Sequence, residues 1–175
     1  MHGLGPQAIK IGGRDTTVRQ ELKELNGPLE EAKADVSGLW ALQHLMDKGV
    51  IDKKLERSMY TTFLASTFRT LRFGLGQTHA KGIAMQVNNL FDHGAIRVGA
   101  DGRFSIDVSK AKKAVTDLTH DIMTIQATGN YEAADALLKK MVTVRPEVRR
   151  VLDRLGDVPV DIAPRLVTAD ELTRP

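Results

Sequence analysis

The chain has no cysteine, so it builds no disulfide, no thiolate metal site and no cysteine nucleophile. Aromatic residues make up 5% of its 175 residues, too few to interleave with bases as a stacking platform for single-stranded nucleic acid. No apolar run is long enough to cross a bilayer. The opening residues, Met1-His2-Gly3-Leu4-Gly5-Pro6, lack the basic-then-apolar order of a secretory signal. A cytoplasmic location with no membrane partner is therefore expected. Charge of one sign is also missing, since 25 lysines and arginines face 22 acids for a net charge of +3. The density of Lys110, Lys112, Lys113, Lys139, Lys140, Arg145, Arg149, Arg150 and Arg154 reads as solvated helix faces, and no nucleic-acid partner is expected. Walker loop, dinucleotide-binding glycine fingerprint and Gly-x-Ser-x-Gly elbow are all absent.

What the chain does have is 42% hydrophobic residues, enough to bury a core in one domain over 1–175. Residues 1–15 are rich in glycine and read as a loop, followed by a short helix from Thr16 or Thr17 to Leu25. Pro28 suits a first helical turn, where an N–H is unbonded anyway, and Gly49 is a stop, so a long helix is expected over about 28–48. A second begins near the cap Asp52 and reaches about Phe73, and a third runs from about Leu75 to His93. Ala95–Val98 and Arg103–Val108 flank Gly99-Ala100-Asp101-Gly102 and read as one β-hairpin. Ser109 is expected to cap the next helix, Gly129-Asn130 to end it and cap Tyr131–Met141, and Pro146 to open a last helix to about Leu155. The prolines beyond Gly156 predict an extended tail over 157–175. The fold class is thus mainly α, about six helices with one β-hairpin.

The informative stretch is Glu30-Glu31-Ala32-Lys33-Ala34-Asp35. At about 100° per residue, Glu31 and Asp35 share the face of Leu39, Leu42 and Met46, while Glu30, Lys33, Ser37, His44 and Lys48 fall on the wet side. Two acids on a buried face need a counter-charge, a metal or a proton. One reading makes Glu31 a metal ligand with Asp35 supporting it; the other pairs them with an arginine such as Arg69 or Arg72. His79 shares a stripe with Leu75, Ile83, Gln86 and Leu90, opposite Lys81, Asn88 and Asp92. It is expected to be buried or on a cleft floor, as a core residue or as a donor to a developing oxyanion. His44, His93 and His120 carry no assigned role.

Together, the acidic stretch, Gln77-Thr78-His79, and the hairpin with its following helices resemble the dipeptidyl peptidase III family of zinc metallopeptidases, above all its bacterial branch. The resemblance implies that Glu31, at the second position of the acidic motif, binds zinc, that Asp35 supports the site, and that His79 helps hold the substrate or transition state. Ala32, Lys33 and Asp35 stand where the family's best-known motif has cysteine, arginine and glutamate, and Ile83 stands where the family has an arginine. His2 resembles the closing histidine of the family's zinc helix. On that resemblance the first histidine and the catalytic glutamate would precede Met1. The chain would be the C-terminal part of the catalytic region, inactive by itself, and its parent would hold zinc and act on a peptide substrate. The alternative is a non-catalytic helical interaction module that forms homo-oligomers through exposed apolar surface.

Overall fold

A computed structural model describes residues 1–159 and 167–172. The chain opens with a hairpin, β1 (Ala8–Ile11) and β2 (Arg14–Thr17), in register Ile9 against Thr16 and Ile11 against Arg14. This corrects the loop expected over 1–15. Gly12 and Gly13 both take positive φ, 55° and 83°, the turn whose twist matches that of a two-residue hairpin. Thr17 then caps α1 (Val18–Leu22), accepting from the amide of Gln20, whose side chain returns the bond to the Thr17 amide. A 3-10 turn, Lys23–Leu25, leads into α2 (Asn26–Asp47).

Asp52 caps a second 3-10 turn, Lys53–Leu55, and α3 (Glu56–Leu71) and α4 (Thr78–Asp92) follow. Strands β3 (Ile96–Val98) and β4 (Phe104–Ile106) form the expected hairpin. Helix α5 (Val108–Thr128) is capped by Asp107, which accepts from the Lys110 amide, and not by Ser109. Gly129 closes it at φ 58° and Asn130 caps α6 (Tyr131–Met141), which matches its expected bounds. Helix α7 (Pro146–Leu152) follows. Within the stretch expected as an extended tail, 157–159 is irregular and Val167–Leu172 forms a short helix, α8; residues 160–166 and 173–175 lie outside the described residues.

The core is one cluster in which α2 lies between α4 and α5. Leu29, Ala32, Val36 and Leu39 of α2 meet Ile83, Met85, Val87 and Leu90 of α4, with Ala111, Ala114, Leu118 and Ile122 of α5. Two glycines set the closeness of α2 and α4. A Cβ on Gly82 would stand 2.9 Å from the Ala32 backbone nitrogen, and one on Gly27 2.9 Å from Thr78 Cγ2. Glycine in a helix interior costs about 0.5–1 kcal/mol relative to alanine, which this backbone contact offsets. Packing on two sides also corrects the one-faced picture of α2. Lys33 and Ser37 are buried, Glu31 and Asp35 are half-exposed, and Leu42 is exposed. Asn88, expected opposite the core, is buried because it donates to the Met141 and Thr143 carbonyls and accepts from Arg145 Nε.

No helix among the described residues is long and apolar enough to cross a membrane.

Candidate active site

The close approach at Gly82 brings one turn of α2 against the start of α4. Glu31 Oε2 lies 3.3 Å from His79 Nδ1, and Asp35 Oδ2 lies 4.0 Å from the same nitrogen. His79 is not buried as the apolar stripe suggested. Its side chain is 48% exposed, because it stands in the first turn of α4 and opens onto a groove between α2 and α3. That groove, of about 500 Å³, is lined by Ala34, Asp35, Leu39, Leu42, Phe63, Arg69, Thr70, His79 and Ile83. A smaller hollow of about 170 Å³ on the other side of His79 includes Gln77, Phe73 and again Arg69 and Thr70.

The N-terminal segment supplies the third component. His2 places Nε2 4.0 Å from Glu31 Oε2 and Nδ1 3.3 Å from Glu30 Oε1. Periodicity could not foresee what holds it there. Lys33 is fully buried, and its Nζ donates to the carbonyls of His2 (3.1 Å) and Leu4 (2.7 Å) and pairs with Glu30 Oε1 (2.8 Å). A buried ammonium with three oxygen partners satisfies all of its protons, so Lys33 fastens residues 2–4 onto α2. Glu30 also accepts from Gln126 Nε2 at 3.1 Å. Burial pushes the Glu30 carboxyl up, but the bonds from Lys33 and Gln126 outweigh it and hold it below the usual carboxylate range.

The three neighbouring acids thus divide their work. Glu30 is spent on Lys33, Gln126 and His2. Asp35 accepts from Gln86 Nε2 at 3.2 Å. Glu31 Oε2 meets two imidazoles, His79 of α4 at 3.3 Å and His2 of the N-terminal segment at 4.0 Å. Since a carboxylate can only accept, the contact with Glu30 calls for a proton on His2 Nδ1, and in the neutral ring that leaves the lone pair on Nε2, the nitrogen nearer Glu31. His79 likewise offers Nδ1–H to Glu31 and keeps Nε2 for another partner. Of the arginines weighed as counter-charges, Arg72 donates to the carbonyls of Leu155 and Val158, while Arg69 lines the groove beside Asp35.

The four residues singled out in the sequence, His2, Glu31, Asp35 and His79, are therefore gathered at one place. Those missed are Lys33 and Gln126, which carry no signal of burial until the packing is known, and the role of Gln86, which the apolar stripe of α4 places on the buried side without saying what it bonds. His44 stacks on Trp40, His93 bonds Asp117 and the Asn89 carbonyl, and His120 is exposed, all away from this site. Among the described residues, no group of three histidine, cysteine, aspartate or glutamate side chains is arranged to hold a metal ion by itself.

No family model matches the chain. It is similar over 98% of its length to the structure of dipeptidyl-peptidase III from Corallococcus sp. strain EGB, with 55% identity and a TM-score of 0.90, covering 32% of that chain. The structure of DPP III from Caldithrix abyssi is 40% identical with a TM-score of 0.92, again over 98% of this chain and 33% of that one. Nudix hydrolase 3 of Arabidopsis thaliana is 45% identical over 174 residues, 98% of this chain and 22% of that protein. The chain thus spans about a third of the two peptidase structures and about a fifth of the plant relative. The likeness carried by a few motifs in the sequence extends through the whole fold.

Proposed function

We propose that this chain is the part of a zinc-dependent peptidase of the dipeptidyl-peptidase III kind that supplies the anionic metal ligand, Glu31, one imidazole ligand, His2, and a substrate-holding imidazole, His79. The observation that carries the reading is the meeting of Glu31 Oε2 with His2 Nε2 at 4.0 Å. Two donors on a tetrahedral zinc with bonds of about 2.0–2.1 Å stand about 3.4 Å apart. A carboxylate oxygen and a neutral imidazole nitrogen are donor types that zinc takes in catalytic sites, and a closing of about 0.6 Å would bring these two to the separation of two zinc ligands. A further ligand and the general base belong, on this reading, to the remaining two thirds of a longer protein.

Zinc, when bound there, supplies Lewis acidity toward water and toward a peptide carbonyl. The chain's own residues do the rest of the positioning. Glu30 accepts a hydrogen bond from the Nδ1–H of His2 and so favours Nε2 as the nitrogen that faces Glu31, the arrangement by which an outer acid orients a histidine ligand. His79 stands at the lip of the groove beside Glu31, with Asp35 behind it, where its ring can hold a substrate oxygen. The apolar floor of Leu39, Leu42, Phe63 and Ile83 excludes water from one side of that position.

The plant relative's name speaks of a different hydrolysis. The match covers about a fifth of that protein, and the residues of this chain that match it are those that match the peptidases, so the peptidase reading explains the shared stretch.

Zinc titration of this chain tests the proposal. Weak binding that is lost in Glu31→Ala, with no peptide hydrolysis by the chain alone, is expected. Stoichiometric tight zinc, or hydrolysis of a dipeptidyl substrate that disappears in Glu31→Ala, would refute the division of labour. Zinc binding indifferent to Glu31 would refute the ligand assignment. A second reading, self-association, is favoured by the exposed run of Trp40, Leu42, Leu45, Val50 and Leu55 along the end of α2 and beyond it. A dimer by light scattering that reverts to monomer in Leu42→Ser with Leu45→Ser would support it.

A further inference from the structure

The two acids that flank Glu31 in the sequence are each held by a buried glutamine, and the two glutamines come from different helices. Gln126 of α5 is fully buried and gives its Nε2 proton to Glu30 Oε2 at 3.1 Å. Gln86 of α4 is 2% exposed and gives Nε2 protons to Asp35 Oδ2 at 3.2 Å and to the Gly82 carbonyl at 3.3 Å. In both cases the amide oxygen, Oε1, has no hydrogen-bond partner among the described residues. A buried amide with an unpaired oxygen costs stability that an apolar side chain of the same length would not. Gln126 is also the one polar residue among the buried side chains of α5. Both amides face the acids through nitrogen, because a carboxylate offers lone pairs alone. Two independent helices thus accept the same penalty to point a donor at an acid next to Glu31.

We propose that Gln126 and Gln86 are positioning residues for the metal site, an inference that rests on the zinc reading above. Gln126 holds one oxygen of Glu30, so that the other, Oε1, is left to take Lys33 at 2.8 Å and His2 Nδ1 at 3.3 Å. His2 then presents Nε2 toward Glu31. Gln86 holds Asp35 so that its Oδ2 remains beside His79 Nδ1, keeping His79 turned toward Glu31. Neither glutamine touches the metal position; each acts through an acid.

The test uses this chain with zinc alone, its affinity measured by competition with a chromophoric chelator, and thermal unfolding of the metal-free protein. Wild type, Gln126→Met, Gln86→Met and Glu31→Ala are compared. Each methionine variant is expected to bind zinc about tenfold more weakly, the usual effect of losing an outer partner of a ligand, with an unfolding temperature equal to or above that of wild type. Lower unfolding temperatures with unchanged zinc affinity would overturn the proposal, for that is what glutamines with a merely structural role would give. If Glu31→Ala weakens zinc binding and the methionine variants do not, this inference fails and the zinc reading stands. If Glu31→Ala binds as wild type does, both fail. A second readout needs neither metal nor a stability change. Nitrogen-15 spectra of the His2 ring are expected to show the Nδ1–H tautomer in wild type and a mixture in Gln126→Met; an unchanged tautomer in the variant would overturn the role of Gln126.

Discussion

Helix α2 carries acids near both of its ends, and the two ends neutralise them differently. At the C-terminal end, Asp47 accepts from Lys53 and Lys112 at 3.3 Å each, and Glu56 of α3 accepts from Lys112 at 2.6 Å, with Gln43 donating to both acids. Two carboxylates meet two ammonium groups. For Asp47, burial pushes the carboxyl up, but Lys112 and Lys53 outweigh it and hold it low; for Glu56, the Lys112 bond is the leading cause of a lowered value. At the N-terminal end, Glu30, Glu31 and Asp35 lie within two turns, and the ammonium among them, Lys33, is spent on Glu30 and two carbonyls. Glu31 meets imidazoles instead. A balanced cluster is what holding two helices together requires. At the N-terminal end the central acid, Glu31, has imidazoles as its neighbours, His79 at 3.3 Å and His2 at 4.0 Å.

Removing a lysine from each end separates the two most sharply. Lys33→Met leaves the carbonyls of His2 and Leu4 without their buried donor and Glu30 without its cation. A loss of about 2–4 kcal/mol is expected, measured from the urea midpoint, with proteolysis newly admitted at residues 1–7. A loss below about 0.5 kcal/mol, on the scale of an ordinary surface change, would mean that Lys33 does not fasten that segment.

Gly82→Ala attacks the geometry of the N-terminal end alone. The new Cβ would stand 2.9 Å from the Ala32 nitrogen and 3.3 Å from the Pro28 carbonyl. Backbone cannot swing aside as a side chain does, so a cost of about 1–3 kcal/mol is expected, larger than the helix-propensity gain of about 0.5–1 kcal/mol. Loss of the nuclear Overhauser contact between His79 and Glu31 should accompany it. A stabilised variant would show that α2 and α4 have slack.

Acid should loosen both ends. Glu30, Asp47 and Glu56 all have lowered folded-state pKa values, so their contribution is present above the unfolded carboxylate range of about 4–4.5 and disappears as pH falls through the lower folded values. Stability should fall below about pH 4.5, and the drop should be smaller in Glu30→Gln, as measured by urea midpoints across pH. At the alkaline side, the raised Lys112 value, caused first by Glu56, makes its share present below about pH 10.5 and lost as pH climbs past the folded value.

The smallest effect belongs to Lys112→Met. Its side chain is 30% exposed, and solvent screening limits such pairs to about 0–1 kcal/mol. The loss should shrink in 0.5 M salt, and zinc affinity should not change. A zinc effect here would blur the distinction between the two ends.

Much of the scaffold was legible in advance because its boundaries are set by local chemistry. Gly129 and Asn130 end one helix and begin the next where expected, and the turn 99–102 joins two strands as the Asp-Gly signal suggested. The first hairpin has its own signal, Gly12-Gly13 between Ile11 and Arg14, but the glycine content of residues 1–15 masks it as irregular chain. Helical stepping singles out Glu31, Asp35 and His79, whereas His2 enters only through the resemblance to the peptidase family. Their environment was not legible, since stepping around a helix assumes one wet side. Lys33 sits on the side assigned to water and is buried there by residues 2–4, which fold back from outside the helix.

The order of elements, their caps and the placing of Glu31, Asp35 and His79 one or two turns from each other or from a helix start were thus determined by the sequence, because each depends on neighbours within a few residues. The meeting of His2, Glu31 and His79, the burial of Lys33 and the paired glutamines were decided by tertiary structure. They depend on how closely α2 and α4 approach at Gly82 and on partners 28 to 96 residues away, and no local pattern encodes the distance between two helix axes.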